Sequence, residues 1–276
     1  MICDSHAHLC NEAFSEDRED ALSRARAAGV RLVVEIACGP GEWDAAAAFS
    51  ERHGGFVFHA LGFHPHECGS VSDESMARLE RLLPGACALG EIGLDYARSQ
   101  QPRARQLEVL ERMLELGGRL GLPLVLHCRN GADASANAYA DMLDMLEASP
   151  RAAGKVAGIA HCFSGSPQDA RRLMDMGFLL GVNGTLTYPK NSELRGILGA
   201  AGPGRLVLET DCPYLPPQSR RGKRSEPADL PEICGALARI IGLTPEETAR
   251  AAFDNCLAVF GLEGEGEGFR FAKPRA

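Results

Sequence analysis

Eight short apolar runs recur along the chain, each followed by a helical stretch, and this rhythm restricts the folds open to it. After the first run, at the extreme N-terminus, come "RLVVEIA" (31–37), "FVFHALG" (56–62), "CALGEIG" (87–93), "PLVLHC" (123–128), "KVAGIAHC" (155–162), "FLLGVNG" (178–184) and "RLVLETD" (205–211). They are apolar throughout rather than alternating, as parallel strands covered on both faces are. Helical segments fall near 17–28, 42–53, 73–83, 103–121, 133–148, 167–176 and 192–200, with two more near 229–241 and 245–260. Gly29, Gly121 and Gly177 stand where helices should end. Thr244 and Pro245 open the last helix as N-cap and first-turn residue. Eight β/α units predict an α/β protein with a closed (β/α)8, or TIM, barrel; a doubly wound open sheet is the alternative. Residues 1–262 read as a single barrel and 263–276, "EGEGEGFRFAKPRA", as a loosely held tail.

A chain of 276 residues is long for one domain but ordinary for such a barrel. The net charge of −8 argues against a general nucleic-acid coat or a membrane-surface protein, while leaving room for a local basic site. No run of about 18 apolar residues is available to span a bilayer. The N-terminus has no basic and apolar leader pattern, so a cytoplasmic location is expected, with no obligate protein partner. The ten cysteines are scattered without a C-x-x-C pair and read as free thiols in a reducing compartment. Cys128, Cys162 and Cys212 each follow a candidate ligand. If the strands extend that far, alternation turns these thiols behind the site, so none is expected to bind metal.

Chemistry-bearing residues gather at the strand ends. The first strand ends "DSHAHL", with His6 and His8 on one face. Strand three is followed by "GFHPH", with His64 and His66; strand four ends with Glu91, five with His127, six with His161 and eight with Asp211. Active sites of these barrels lie at the carboxyl ends of the strands. Of eight histidines, only His53 and His59 lie clearly elsewhere. Four imidazoles and two carboxylates can hold two divalent ions with positions left open. The expected division gives His6, His8 and Asp211 to one ion, His127 and His161 to the other, and Glu91 as bridge. A hydroxide between the ions would be the nucleophile, with Asp211 as general base. Zn, Mn, Co or Ni suit the imidazoles, and Mg suits phosphoryl chemistry.

Together "DSHAHL", "GFHPH", "GEIGLDY", "LVLHCR", "HCFSGS" and "LETDCPYLPP…RGKRSEP" closely resemble the TatD family of metal-dependent hydrolases, in the amidohydrolase-like group, across residues 2–262. The resemblance implies a two-metal TIM barrel and the ligand set His6, His8, Glu91, His127, His161 and Asp211. It also implies a metal-dependent deoxyribonuclease acting 3′ to 5′ on single strands, so single-stranded DNA or its 3′ ends are the expected substrate. The run "CRNGADA" lacks the acidic residue usual soon after the arginine, the loop 131–155 is longer than usual, and "RSEP" replaces "RNEP".

His64 is a candidate to bind a substrate phosphate or protonate the leaving oxygen, and Arg129 to bind phosphate. "SRRGKR" (219–224) carries four cations after strand eight and reads as a phosphate clamp through Arg221 and Arg224. Glu209 lies two residues before Asp211, either orienting a ligand or paired inside the barrel. Asp95 should fix the loop after strand four; Tyr96 and His66 read as structural, and Asn183 and Tyr188 as substrate contacts. Aromatic residues form 6% of the chain and are not interleaved with the basic run, so no stacking platform is expected. Two rivals stand beside the nuclease. One is an amidohydrolase-type enzyme cleaving an amide or ester of a small molecule or aminoacyl group. The other is a non-catalytic metal-binding protein, which a site with open coordination positions disfavours.

Overall fold

The structure is a computed structural model that describes residues 1–133, 136–149 and 157–272. Its elements are β1 (Ile2–Ala7), α1 (Arg18–Ala27), β2 (Val30–Ala37), α2 (Trp43–Arg52), β3 (Val57–Leu61), α3 (Asp73–Leu82), β4 (Ala88–Asp95), α4 (Arg103–Leu120), β5 (Leu124–Arg129) and α5 (Ala138–Ala148). There follow β6 (Gly158–Ala160), α6 (Pro167–Asp175), β7 (Phe178–Val182), α7 (Ser192–Ala201), β8 (Leu206–Leu208), α8 (Leu230–Ile241), α9 (Pro245–Phe260) and the hairpin β9 (Leu262–Glu265) and β10 (Gly268–Phe271). Lys155 and Val156, placed in the sixth strand by sequence, and residues 134–135 and 150–154 of the loop 131–155 lie outside the described residues.

The eight strands pair in parallel in chain order, β1 to β8. The first and last meet where the strands end: the Asp211 amide donates to the His6 carbonyl at 2.9 Å, and the His8 amide to the Cys212 carbonyl at 2.8 Å. Asp4 ties the same seam. Its Oδ1 accepts from the Thr210 amide at 2.9 Å and its Oδ2 from the Thr210 hydroxyl at 2.6 Å. A sequential order whose ends join is a barrel, and the doubly wound alternative is excluded. The helices begin and end on local chemistry. Ser72, Ser166 and Thr244 form capping boxes, and Gly121, Gly242 and Gly261 take the left-handed conformation that closes α4, α8 and α9.

Alternation sorts the strand side chains. Leu124, Leu126 and Leu180 join the large core between strands and helices. Val125, Ile159, Leu179 and Val207 face inward and pack with Phe253, Cys256 and Phe260 of α9, which closes the N-terminal end of the barrel. The same inward rows continue upward to His127, His161, Gly181 and Glu209. The segment read from sequence as a loose tail is ordered through residue 272. β9 and β10 pair antiparallel; Phe271 packs edge-on against Phe58 at 5.5 Å, and Phe269 against Phe253 at 5.4 Å. Its glycines and glutamates hide two strands whose aromatic residues cover the barrel floor, while residues 273–276 lie outside the described residues. Among the described residues no helix is long and apolar enough to cross a membrane.

Candidate metal centre

At the opposite end of the barrel a cavity of about 440 Å³ opens, with His8, His64, Glu91, His127, His161 and Asp211 on its walls. Glu91 is buried between the sets and divides its two oxygens. Oε1 lies 2.7 Å from His127 Nδ1, 3.7 Å from His64 Nε2 and 3.7 Å from His161 Nε2; Oε2 lies 3.4 Å from His6 Nε2. Asp211 Oδ1 stands 3.4 Å from His8 Nε2, 3.8 Å from His6 Nε2 and 3.7 Å from His161 Nε2. His6 and His8 bring their Nε2 atoms within 3.2 Å, and the His6 ring stacks on His161 at 3.5 Å. All six residues expected as ligands are therefore brought together.

Their division differs from the expected one. Donor atoms group as His6–His161–Asp211, His6–His8–Glu91 and His64–Glu91–His127. His161 stands nearer the first-strand set than to a pair with His127, and His64 stands among the donors. Linear spacing could not foresee this, because which strand-end residues meet across the barrel mouth is set by closure of the barrel.

A second layer of acceptors turns each ring. His8 Nδ1 donates to the Ile36 carbonyl at 3.1 Å, leaving Nε2 for the cluster. Asp95 Oδ2 lies 3.2 Å from His127 Nε2, 3.4 Å from His66 Nε2 and 3.6 Å from Arg129 Nη1, while its Oδ1 accepts from the amides of Ala97 and Arg98. It fixes the loop after β4, as expected. It also orients His127, a role the sequence reading missed although Asp95 shares the face of Glu91. Glu209 Oε1 lies 3.1 Å from His161 Nδ1 and accepts from the Cys162 amide at 2.7 Å. Glu35, also missed, accepts from the amides of Leu9 and Cys10 just after His8. Burial pushes its carboxyl up to about 7.

The electrostatics suit a cation. Burial alone would raise Glu91, but His64, His161, His6 and His127 overcome it and hold the carboxyl well below its ordinary range. Asp211 is lowered against burial by His161, His8 and His6. Burial opposes charge on His161, yet Glu209, Asp211 and Glu91 raise it to about 9. Two buried carboxylates facing five imidazoles form a mixed nitrogen and oxygen donor set, which fits divalent metal. Metal would displace protons from His8, His127 and His161, whose pKa values are raised.

The thiols behave unequally. Cys128 and Cys212 are buried in the outer core, away from the donors. Cys162 does not follow strand alternation: β6 ends at Ala160, Cys162 has a φ of 46°, and Asp211 and Glu209 add to burial in raising its pKa. Cys38, unremarked in the sequence, lines the cavity and donates to Glu91 Oε2 at 3.7 Å. No donor group among the described residues includes a cysteine.

The basic run is not gathered with the cluster. Arg224 makes a two-pronged pair with Asp17 at 2.7 Å on each arm and lies over the Phe14 ring. Arg220 pairs with Asp229 at 2.5 Å, and Arg24 joins Asp17 to Glu226. Arg221 lies over the Tyr188 ring, whose hydroxyl donates to the Pro216 carbonyl at 2.8 Å. None of Arg220, Arg221 or Arg224 lines the cavity; the arginines that do are Arg98 and Arg129. Asn183 turns inward to Glu209 at 3.4 Å, and the Tyr96 hydroxyl donates to Asp141.

A TIM barrel with histidines and carboxylates converging at its strand ends defines the class of metal-dependent hydrolases. Comparison with known proteins narrows the class. The family model for TatD related DNase matches residues 3–261, and the chain belongs to that family. It is 31% identical to the uncharacterized metal-dependent hydrolase YabD of Bacillus subtilis, over 95% of this chain and 100% of that one. It is 36% identical to the 3′-5′ ssDNA/RNA exonuclease TatD of Cronobacter turicensis, over 84% and 87%. The crystal structure of YjjV, the TatD homolog of Escherichia coli, superposes with a TM-score of 0.86 at 30% identity, covering 95% of this chain and 98% of that one.

Proposed function

We propose that the chain is a 3′ to 5′ exonuclease acting on single-stranded DNA, with two divalent ions held by His6, His8, Glu91, His127, His161 and Asp211. The observation that carries this reading is Glu91, with Oε1 2.7 Å from His127 Nδ1 and Oε2 3.4 Å from His6 Nε2, which would let one carboxylate serve two ions. Bound metal would supply Lewis acidity and lower the pKa of water. Asp211 then receives the proton of the attacking water at a carboxylate oxygen on the cavity wall. His64, with Nε2 3.7 Å from Glu91 Oε1, binds a substrate phosphate or protonates the leaving oxygen. Arg129, with Nη1 3.6 Å from Asp95, presents its remaining donors to a phosphate. The names of the TatD relatives support the substrate class and the direction of attack.

The test is a 5′-labelled single-stranded oligonucleotide incubated with metal-loaded protein and with chelated protein. Stepwise shortening from the 3′ end, lost on chelation, is the expected result. Turnover of a carboxylester panel without shortening would favour the small-molecule hydrolase.

A further inference from the structure

The cavity rim has three chemically distinct sectors. Arg98 and Arg129 stand on the side of β4 and β5. Glu42 and Glu67 stand on the side of β2 and β3. Tyr214 and Leu215, with Asn11 beside them, stand on the side of β8 and β1. A phosphate chain is drawn to the first sector and repelled by the second. The third carries no charge and presents the Tyr214 ring and the Leu215 side chain.

Tyr214 is 53% exposed, and among the described residues the other exposed large hydrophobics are Met1 and Leu120. It is the aromatic among them, and it lines the catalytic cavity. Its position is held from three directions. Its amide donates to the Asp211 carbonyl at 2.9 Å, its hydroxyl accepts from Asn11 Nδ2 at 3.4 Å, and its ring meets His8 edge-on at 6.0 Å between centroids. The turn that presents it has Asp211 and Leu215 in the left-handed region, φ 57° and 48°. A half-exposed ring fixed beside the donor cluster offers a stacking surface to solvent.

We propose that Tyr214 stacks the base of the 3′-terminal nucleotide, making it a specificity-determining residue that selects a planar nucleobase next to the bond cleaved. The inference rests on the nuclease reading above and adds an orientation to it. The terminal base lies on Tyr214 and Leu215, the scissile phosphate on the donor cluster, and the rest of the strand leaves over Arg129 and Arg98. Stacking on an aromatic face tolerates any base, which suits an enzyme that consumes a strand regardless of sequence.

The test uses a single-stranded oligonucleotide ending at 3′ in 2-aminopurine, mixed rapidly with metal-loaded protein. Stacking quenches this base on binding, before release of the nucleotide raises its fluorescence. Tyr214→Ala should lose the quench and raise KM about tenfold. Tyr214→Phe, which keeps the ring, should recover both. With an oligonucleotide whose 3′-terminal sugar is abasic, wild type and Tyr214→Ala should have the same KM. A quench that survives in Tyr214→Ala, no quench in wild type at saturating protein, or an equal rise of KM on the abasic strand would each overturn the proposal. A wild-type protein that quenches the base yet never releases it would instead refute the exonuclease reading and leave the stacking intact.

Discussion

Glu209 Oε1 and His161 Nδ1 lie 3.1 Å apart, both residues buried, at the point where β6, β7 and β8 converge beneath the cavity. The carboxylate also accepts from the Cys162 amide and from Asn183, and Gly181 leaves the space it occupies: a Cβ there would overlap it. A carboxylate behind a histidine fixes which ring nitrogen bears the proton and so which one faces the metal. Glu209→Gln keeps the size and one oxygen but removes the charge. It should weaken metal binding by about 10–100-fold while leaving the metal-free fold intact. Titration calorimetry with Zn(II), beside circular dichroism of the metal-free protein, measures both. Unaltered metal affinity would reduce Glu209 to a backbone acceptor.

Glu91→Ala removes the group shared by the two imidazole sets. Turnover should drop by about 100-fold or more, with metal content reduced and the circular dichroism spectrum retained. Wild-type rates with full metal content would rule out the bridging role.

Arg129 and Arg224 should separate binding from stability. Arg224 is committed to Asp17 across the seam between α1 and the loop after β8. Arg224→Ala should lower stability by about 1–2 kcal/mol in urea titration and leave the salt dependence of oligonucleotide binding unchanged. Arg129→Ala should flatten the slope of log affinity against log salt by about 0.7 per phosphate lost. The reverse assignment would return the phosphate clamp to the basic run.

His59 supplies a pH test away from the metal donors. It is 7% exposed on β3, and burial pulls its pKa down to about 4. In the unfolded chain an ordinary histidine titrates near 6.5. Between these values the unfolded state holds more protons, so stability falls as the pH drops from about 6.5 to about 4. The contribution is complete above about 6.5, and the loss at the lower limit is about 2–3 kcal/mol. His59→Phe should flatten this part of the stability profile, measured by urea unfolding across that range. An unchanged profile would show that other groups cause the acid sensitivity.

The cysteines give a spectroscopic test. Because the donor groups contain only nitrogen and oxygen ligands, the cobalt-loaded protein should lack a sulfur-to-cobalt charge-transfer band. A band that disappears in Cys38→Ala would identify that thiol as a ligand.

The amino-acid sequence by itself determined the barrel and set the candidate donors at its strand ends. Apolar runs that do not alternate, with helices between them, have few ways to cover both faces, and His6, His8, Glu91, His127, His161 and Asp211 stood at or just past the ends of those runs. Linear order could not decide who faces whom. Closure of β1 against the end of β8 puts His6 on His161, the last residue of β4 brings in Asp95, and the turns after the strands bring in His64, Cys38 and Tyr214. The cations of the basic run were equally legible as a phosphate clamp, since charge in a sequence has no partner. Only the folded chain brings Asp17, more than 200 positions away, against Arg224 and satisfies that charge within the protein. The hairpin after α9 was hidden for a similar reason: its polar, glycine-rich composition reads as a tail until Phe58 and Phe253 offer its two phenylalanines a floor to cover. Periodicity records which face of an element is apolar, whereas pairing between distant segments is set by contacts that exist only once the barrel has closed.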